Sequence, residues 1–126
     1  MTQQHNKPPA LSAIPRLWRA LGWSLAGLRA GLKYEQSLRI EAATLPLIMG
    51  LAWWLGSSMW HQALLISAWL ILIMCELLNS AIETTVDRIS SEHHVLSGRA
   101  KDLGSAAVFI AYLINLLLWA AEIFGQ

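Results

Sequence analysis

Leu17, Leu21, Leu25, Leu28 and Leu32 recur at intervals of three and four residues, which lines them along one side of an α-helix. Arg16, Arg19, Arg29 and Lys33 supply a basic side, with Trp18 and Trp23 between them, and Pro15 suits a first helical turn. The pattern predicts an amphipathic helix over about 14–34, of the kind that lies in the plane of a membrane interface. A helix docked on a soluble partner would show the same stripe. The residues ahead of it, 1–13, are polar and contain Pro; they read as a mobile tail and lack the apolar core of a secretory signal.

Beyond this helix the polar positions disappear. Between Ala42 and Cys75 no Asp, Glu, Lys or Arg occurs, a run too long for one crossing of about 20 residues. Gly56-Ser57-Ser58-Met59-Trp60-His61-Gln62 is its small, polar and aromatic break. Spans are therefore expected over about 42–55 and 63–82, with Pro46 kinking or beginning the first and Glu76 the single acid within the second. The uncharged stretch 103–121 gives a third. The expected fold is an all-α membrane protein: one domain over 14–126, with three transmembrane helices and an N-terminal interfacial helix.

Composition agrees. Apolar residues make up 56% of the 126 and charged residues only 13%, about half the usual share of roughly 25%. With 9 Lys+Arg against 8 Asp+Glu the chain lacks the basic surface of an electrostatic nucleic-acid binder. One cysteine excludes an intramolecular disulfide and a cysteine-rich zinc site. The cations set an orientation. Lys7, Arg16, Arg19, Arg29, Lys33 and Arg39 precede the first span, Arg88, Arg99 and Lys101 lie between the second and third, and none lies elsewhere. The N-terminus and the 83–102 connection are thus expected in the cytoplasm and the C-terminus outside, with Trp53, Trp54, Trp60 and Trp119 as an outer aromatic belt.

Candidate chemistry sits with the acids. Seven of the eight fall at or just inside the cytoplasmic interface: Glu35, Glu41, Glu76, Glu83, Asp87, Glu92 and Asp102; Glu122 is the exception. Glu76, Asn79, Ser80, Glu83 and Asp87 share one helical face. Glu76 lies about 10 Å deeper than Glu83, at 1.5 Å per residue. A carboxyl at that depth is costly and marks either a proton-accepting functional group or an interhelical hydrogen bond. Glu35 and Glu83, from different helices, could hold Mg²⁺ together with substrate phosphates, or be solvated edges. Lys101 could meet a phosphate or snorkel at the interface. His93 and His94 read as a solvated loop, and Cys75 as a small buried residue. No phosphate-binding glycine loop or HExxH pattern is present.

The run from Glu76 through Asn79, Ser80, Glu83, Asp87 and Arg88, followed by Ser97-Gly98-Arg99-Ala100-Lys101-Asp102 and Gly104-Ser105-Ala106-Ala107, resembles the prokaryotic integral-membrane diacylglycerol kinase family. Gly27-Leu28-Arg29-Ala30, Glu35, Arg39 and Glu41 match its surface-helix region, and the similarity runs from about residue 14 to the end. The resemblance implies ATP-dependent phosphorylation of a lipid hydroxyl at the cytoplasmic face of a bacterial inner membrane, converting diacylglycerol to phosphatidic acid. It further implies a homotrimer with active sites shared between subunits. It makes Glu76 the general base with Asn79 beside it, and Glu35 and Glu83 the carboxylates for Mg²⁺. Arg16, Trp23, Glu92, His93, His94, Lys101 and Asp102 fall where the family meets ATP. Trp23 and His93 stand where close relatives are expected to carry Tyr, keeping aromatic character without the hydroxyl. Two other readings predict different behaviour: an undecaprenol kinase would prefer a C55 isoprenoid alcohol, and a non-catalytic membrane assembly protein would show no nucleotide response.

Overall fold

The computed structural model describes residues 13–89 and 92–125, so the expected mobile tail at 1–13 lies almost wholly outside the described residues. Four α-helices follow one another: α1 (Ala13–Tyr34), α2 (Gln36–Leu55), α3 (Met59–Ile89) and α4 (Val95–Phe124). No strand occurs among the described residues. The chain divides within α1 into two compact units, 1–30 and 31–126. In the first, α1 is amphipathic and carries Pro15 in its first turn, where a missing N–H leaves no intrahelical bond unmade.

The second unit is an antiparallel arrangement in which α3 packs against both α2 and α4. Each of these three helices is long and apolar enough to cross a membrane. Its core is thin: Leu38, Ile48, Ala52, Leu65, Ala68, Leu72 and Ala111 are buried. Ala52, Ala68 and Ala111 are fully enclosed because small side chains let helix backbones approach closely. Most large apolar residues of α2, α3 and α4 face outward, which suits helices whose solvent is hydrocarbon.

The helices outrun the uncharged stretches that announce them. α2 begins six residues before Ala42, α3 continues past Ile82 to Ile89, and α4 starts at Val95 rather than near Leu103. The 83–102 connection is therefore mostly helix, with only 90–94 between α3 and α4. Hydropathy marks the part that suits lipid, whereas a helix ends where its backbone hydrogen bonds end. Pro46 lies inside α2, preceded by a full ten helical residues, so it does not begin the span. Its missing N–H leaves the Ala42 carbonyl without an i+4 donor. At the α1–α2 break, Glu35 is the extended N-cap residue, and Arg39 Nη1 donates to the Lys33 carbonyl at 3.2 Å.

A polar clasp closes the opposite end, where α2 turns into α3. The buried Glu122 near the end of α4 accepts through Oε1 from the Ser57 N–H at 2.7 Å and from the Ser57 hydroxyl. His61 Nδ1 lies 3.1 Å from Glu122 Oε2 and 2.9 Å from Ser57 Oγ. The acid that stood apart in the sequence thus ties the α2–α3 turn to α4. Replacing Glu122 by Ala should cost about 1–3 kcal/mol, since two part-buried donors lose their acceptor, and should lower the denaturation midpoint. An unchanged midpoint would show that the clasp is not structural.

Candidate active site

Glu76 occupies the interior of the helix arrangement. It is 8% exposed, and Ser37 Oγ of α2 donates to its Oε2 at 3.3 Å. One turn further along α2, Glu41 is 2% exposed. Tyr112 of α4 donates its hydroxyl to Glu41 Oε1 at 3.1 Å, while Trp69 Nε1 of α3 donates to the Glu41 backbone carbonyl at 3.1 Å. Glu41 Oε2 is buried without a hydrogen-bond partner among the described residues. Glu41, placed by the acid pattern at or just inside the cytoplasmic interface, is thus a second buried carboxyl on the α2 face that meets Glu76. The signal was its i+4 spacing from Ser37, which puts both on one side of α2.

One and two turns from Glu76 along α3, Asn79 and Glu83 form a pair: Asn79 Nδ2 donates to Glu83 Oε1 at 2.9 Å. Gly104 of α4 is buried directly over Asn79, and a Cβ there would collide with Asn79 Oδ1. That oxygen is itself buried without a partner among the described residues. Glycine thus lets α4 lie over Asn79 without displacing its amide.

Where α3 turns into α4, a cleft of about 190 Å³ is lined by Val86, Asp87, Glu92, His93, His94, Ser97, Gly98 and Lys101. Pockets that enclose a drug-sized ligand hold about 300–1,000 Å³, so this cleft would receive only part of a nucleotide. It brings together four of the residues expected at ATP: Glu92, His93, His94 and Lys101. Lys101 Nζ lies 2.6 Å from Asp87 Oδ1. That hydrogen bond holds the Lys101 ammonium, which precedes the uncharged stretch of α4, above the usual lysine range. His94 is also the N-cap of α4: its Nδ1 accepts from the Leu96 N–H at 3.2 Å, and the Gly98 N–H donates to its carbonyl at 3.0 Å. The histidine pair is exposed, but one member fixes the first turn of a helix.

The remaining expected residues lie apart from the cleft lining. Asp102 follows Lys101 on α4 and is exposed. Arg16 and Trp23 stand seven residues apart on α1, hence on one side of that helix. Glu35 caps α2 without using its side chain for the cap, so its carboxylate is uncommitted to helix capping. Neither Glu35 nor Glu83 is ion-paired to Lys or Arg among the described residues. No group of three or more His, Cys, Asp or Glu there could hold a metal ion by itself.

Comparison with known proteins bears on this arrangement. The family model described as prokaryotic diacylglycerol kinase matches residues 22–123, which include every element of the α3–α4 site. The chain belongs to the prokaryotic diacylglycerol kinase family. It is similar to the diacylglycerol kinase of Escherichia coli K12, with 46% identity over 108 residues covering 86% of this chain and 88% of that protein. It is also similar to the Haemophilus influenzae diacylglycerol kinase (42% over 113 residues, covering 90% and 96%). The Pseudomonas aeruginosa diacylglycerol kinase matches at 40% over 114 residues, covering 90% and 93%. The molecule is thus a membrane-bound lipid kinase of this family, and the non-catalytic assembly reading falls away. The kinase carries no nucleotide-binding glycine loop.

Proposed function

We propose that the kinase transfers the γ-phosphoryl group of ATP to the hydroxyl of diacylglycerol, giving phosphatidic acid and ADP at the cytoplasmic face of a bacterial inner membrane. The observation that carries this reading is the spacing of polar groups along one face of α3: the buried Glu76, then Asn79 with Glu83, then Asp87 with Lys101 at the cleft. A lipid alcohol presents its hydroxyl at the membrane interface while ATP stays in water. An enzyme joining them needs a proton acceptor at hydroxyl depth and phosphate-directed groups nearer the water. At 1.5 Å per residue, Glu76 lies about 10 Å further in than Glu83.

In this mechanism Glu76 accepts the hydroxyl proton as the lipid oxygen bonds to the γ-phosphorus and the bond to the β-phosphate oxygen breaks. Ser37 orients the carboxylate that does this. Asn79 fixes Glu83 through its amide. Glu35 and Glu83 would hold Mg²⁺, which when bound neutralises charge on the phosphate oxygens. Lys101 donates to those oxygens; Glu92, His93 and His94 border the nucleotide, with Asp102 as a further contact. Positioning and charge neutralisation are the main requirements of phosphoryl transfer, so no dedicated nucleotide fold is needed.

The cation distribution supports placing the N-terminus and the α3–α4 turn in the cytoplasm and the C-terminus outside. Resemblance to the family supports a homotrimer with shared sites. The test of acceptor class is label transfer from γ-labelled ATP with Mg²⁺ in mixed micelles, offering diacylglycerol and undecaprenol in parallel. Faster labelling of diacylglycerol is expected. Preference for undecaprenol would keep the mechanism and change the acceptor, and no labelling of either by folded protein would overturn the proposal.

A further inference from the structure

Asp87 takes no part in the transfer as described above, yet it makes a close charged contact at the cleft: 2.6 Å from its Oδ1 to Lys101 Nζ. The two side chains are 65% and 38% exposed. Exposed pairs of this kind contribute little to stability, so the contact has to be explained by what it does to Lys101. A lysine side chain has four flexible methylenes and loses considerable rotamer freedom when aimed. Asp87 lies one turn beyond Glu83 on the polar face of α3, and Glu83 also attracts the ammonium. On the other side, the first turn of α4 is fixed by the His94 cap and the Gly98 N–H bond to the His94 carbonyl. Both ends of the contact are thus mounted on ordered helices, and both residues line the cleft with Glu92, His93 and His94.

We infer that Asp87 is a positioning residue for phosphoryl transfer: it aims the Lys101 ammonium across the cleft at the transferring phosphate. The inference rests on the proposed phosphate-binding role of Lys101. An ammonium has three donors; Asp87 takes one and leaves two for phosphate oxygens. The carboxylate simultaneously places a negative charge beside the polyphosphate, opposing ground-state binding. These effects separate in the kinetics. Removing the charge while keeping the shape, in Asp87→Asn, leaves only a neutral amide oxygen to hold Lys101, a weaker hold than the carboxylate gives, and removes the repulsion.

The experiment measures kcat and KM for MgATP, and the Kd of a non-hydrolysable ATP analogue, for Asp87→Asn, Lys101→Met and the double variant in mixed micelles. For Asp87→Asn, kcat should fall about tenfold, as expected for a misplaced charge-stabilising group, while KM and Kd stay level or fall. Asp87→Glu, which restores the carboxylate, should recover much of that loss. In the Lys101→Met background, Asp87→Asn should change neither kcat nor Kd by more than about twofold, because residues acting through one group are non-additive. A single-variant kcat within twofold of the parent overturns the inference. So does a rise of KM alongside a fall of kcat, which indicates general damage, or an equal loss in the Lys101→Met background. If Lys101→Met itself leaves all three constants unchanged, the phosphate role of Lys101 fails and takes the inference with it.

Discussion

Replacing Glu76 by Gln is expected to lower kcat by about 10²–10⁴-fold, the range that general-base catalysis supplies, while leaving the helices packed. Gln is nearly isosteric and its amide oxygen can still accept from Ser37 Oγ, which lies 3.3 Å from Glu76 Oε2. What it cannot do is take a proton. The loss should therefore appear in turnover, and the affinity for a non-hydrolysable ATP analogue should stay within about threefold, since Glu76 sits two turns from the Glu83 level at 1.5 Å per residue. Single-turnover label transfer and analogue binding on one preparation read both. Near-normal turnover would remove Glu76 from the chemistry and leave it as an interhelical hydrogen-bonding acid. Weakened nucleotide binding with the same loss would mean that the substitution disturbs the α3–α4 end rather than the proton transfer.

Gly104→Ala should produce a second large loss through geometry alone. The added Cβ collides with Asn79 Oδ1, and the side chain rather than either backbone can give way. The Asn79 amide then swings off Glu83 Oε1, which it holds at 2.9 Å. A displacement of about 1 Å in a positioning group can cost up to about 100-fold in rate, so kcat should drop at least tenfold on that scale while the denaturation midpoint moves little. In an Asn79→Ala background the same glycine substitution should add almost nothing, because the colliding atom is gone. Gly104→Leu should instead separate α3 from α4 and compromise folding. Normal kcat in Gly104→Ala would show that Asn79 has room to move without releasing Glu83.

The two losses differ in how visible their residues are in the sequence. Glu76 stands out because no other acid interrupts the apolar run that contains it. The leucine stripe of α1 and the uncharged stretches of α2, α3 and α4 likewise announce four helices. Their ends are not announced. α3 runs on through Glu83 and Asp87 to Ile89 because intrahelical hydrogen bonds do not depend on lipid around them. Glu41 is less visible: its place among charged neighbours gives its level but not its burial, which only packing against Trp69 and Tyr112 reveals. Tyr112 itself sits in an uncharged stretch and carries no polar signal of its own. The Asp87–Lys101 contact needs the α3–α4 turn to bring two distant positions together. Residue spacing on a single helix cannot express that, nor can it place Ser57 and His61 against Glu122.

Two buried acids at different levels of the helix arrangement allow the location of the site to be tested in one assay. Glu76 is 8% exposed near the middle of α3 and Glu122 is 9% exposed in the clasp at the α2–α3 turn. The decisive measurement is the initial rate of labelled phosphatidic acid formation from γ-labelled ATP, Mg²⁺ and diacylglycerol by Glu76→Gln and Glu122→Gln, side by side below their denaturation midpoints. Glu76→Gln should form almost no product and Glu122→Gln should stay within about threefold of the parent, because only the first removes a proton acceptor from the reacting hydroxyl. Equal loss in both variants, or loss confined to Glu122→Gln, would contradict a phosphoryl-transfer site on the polar face of α3.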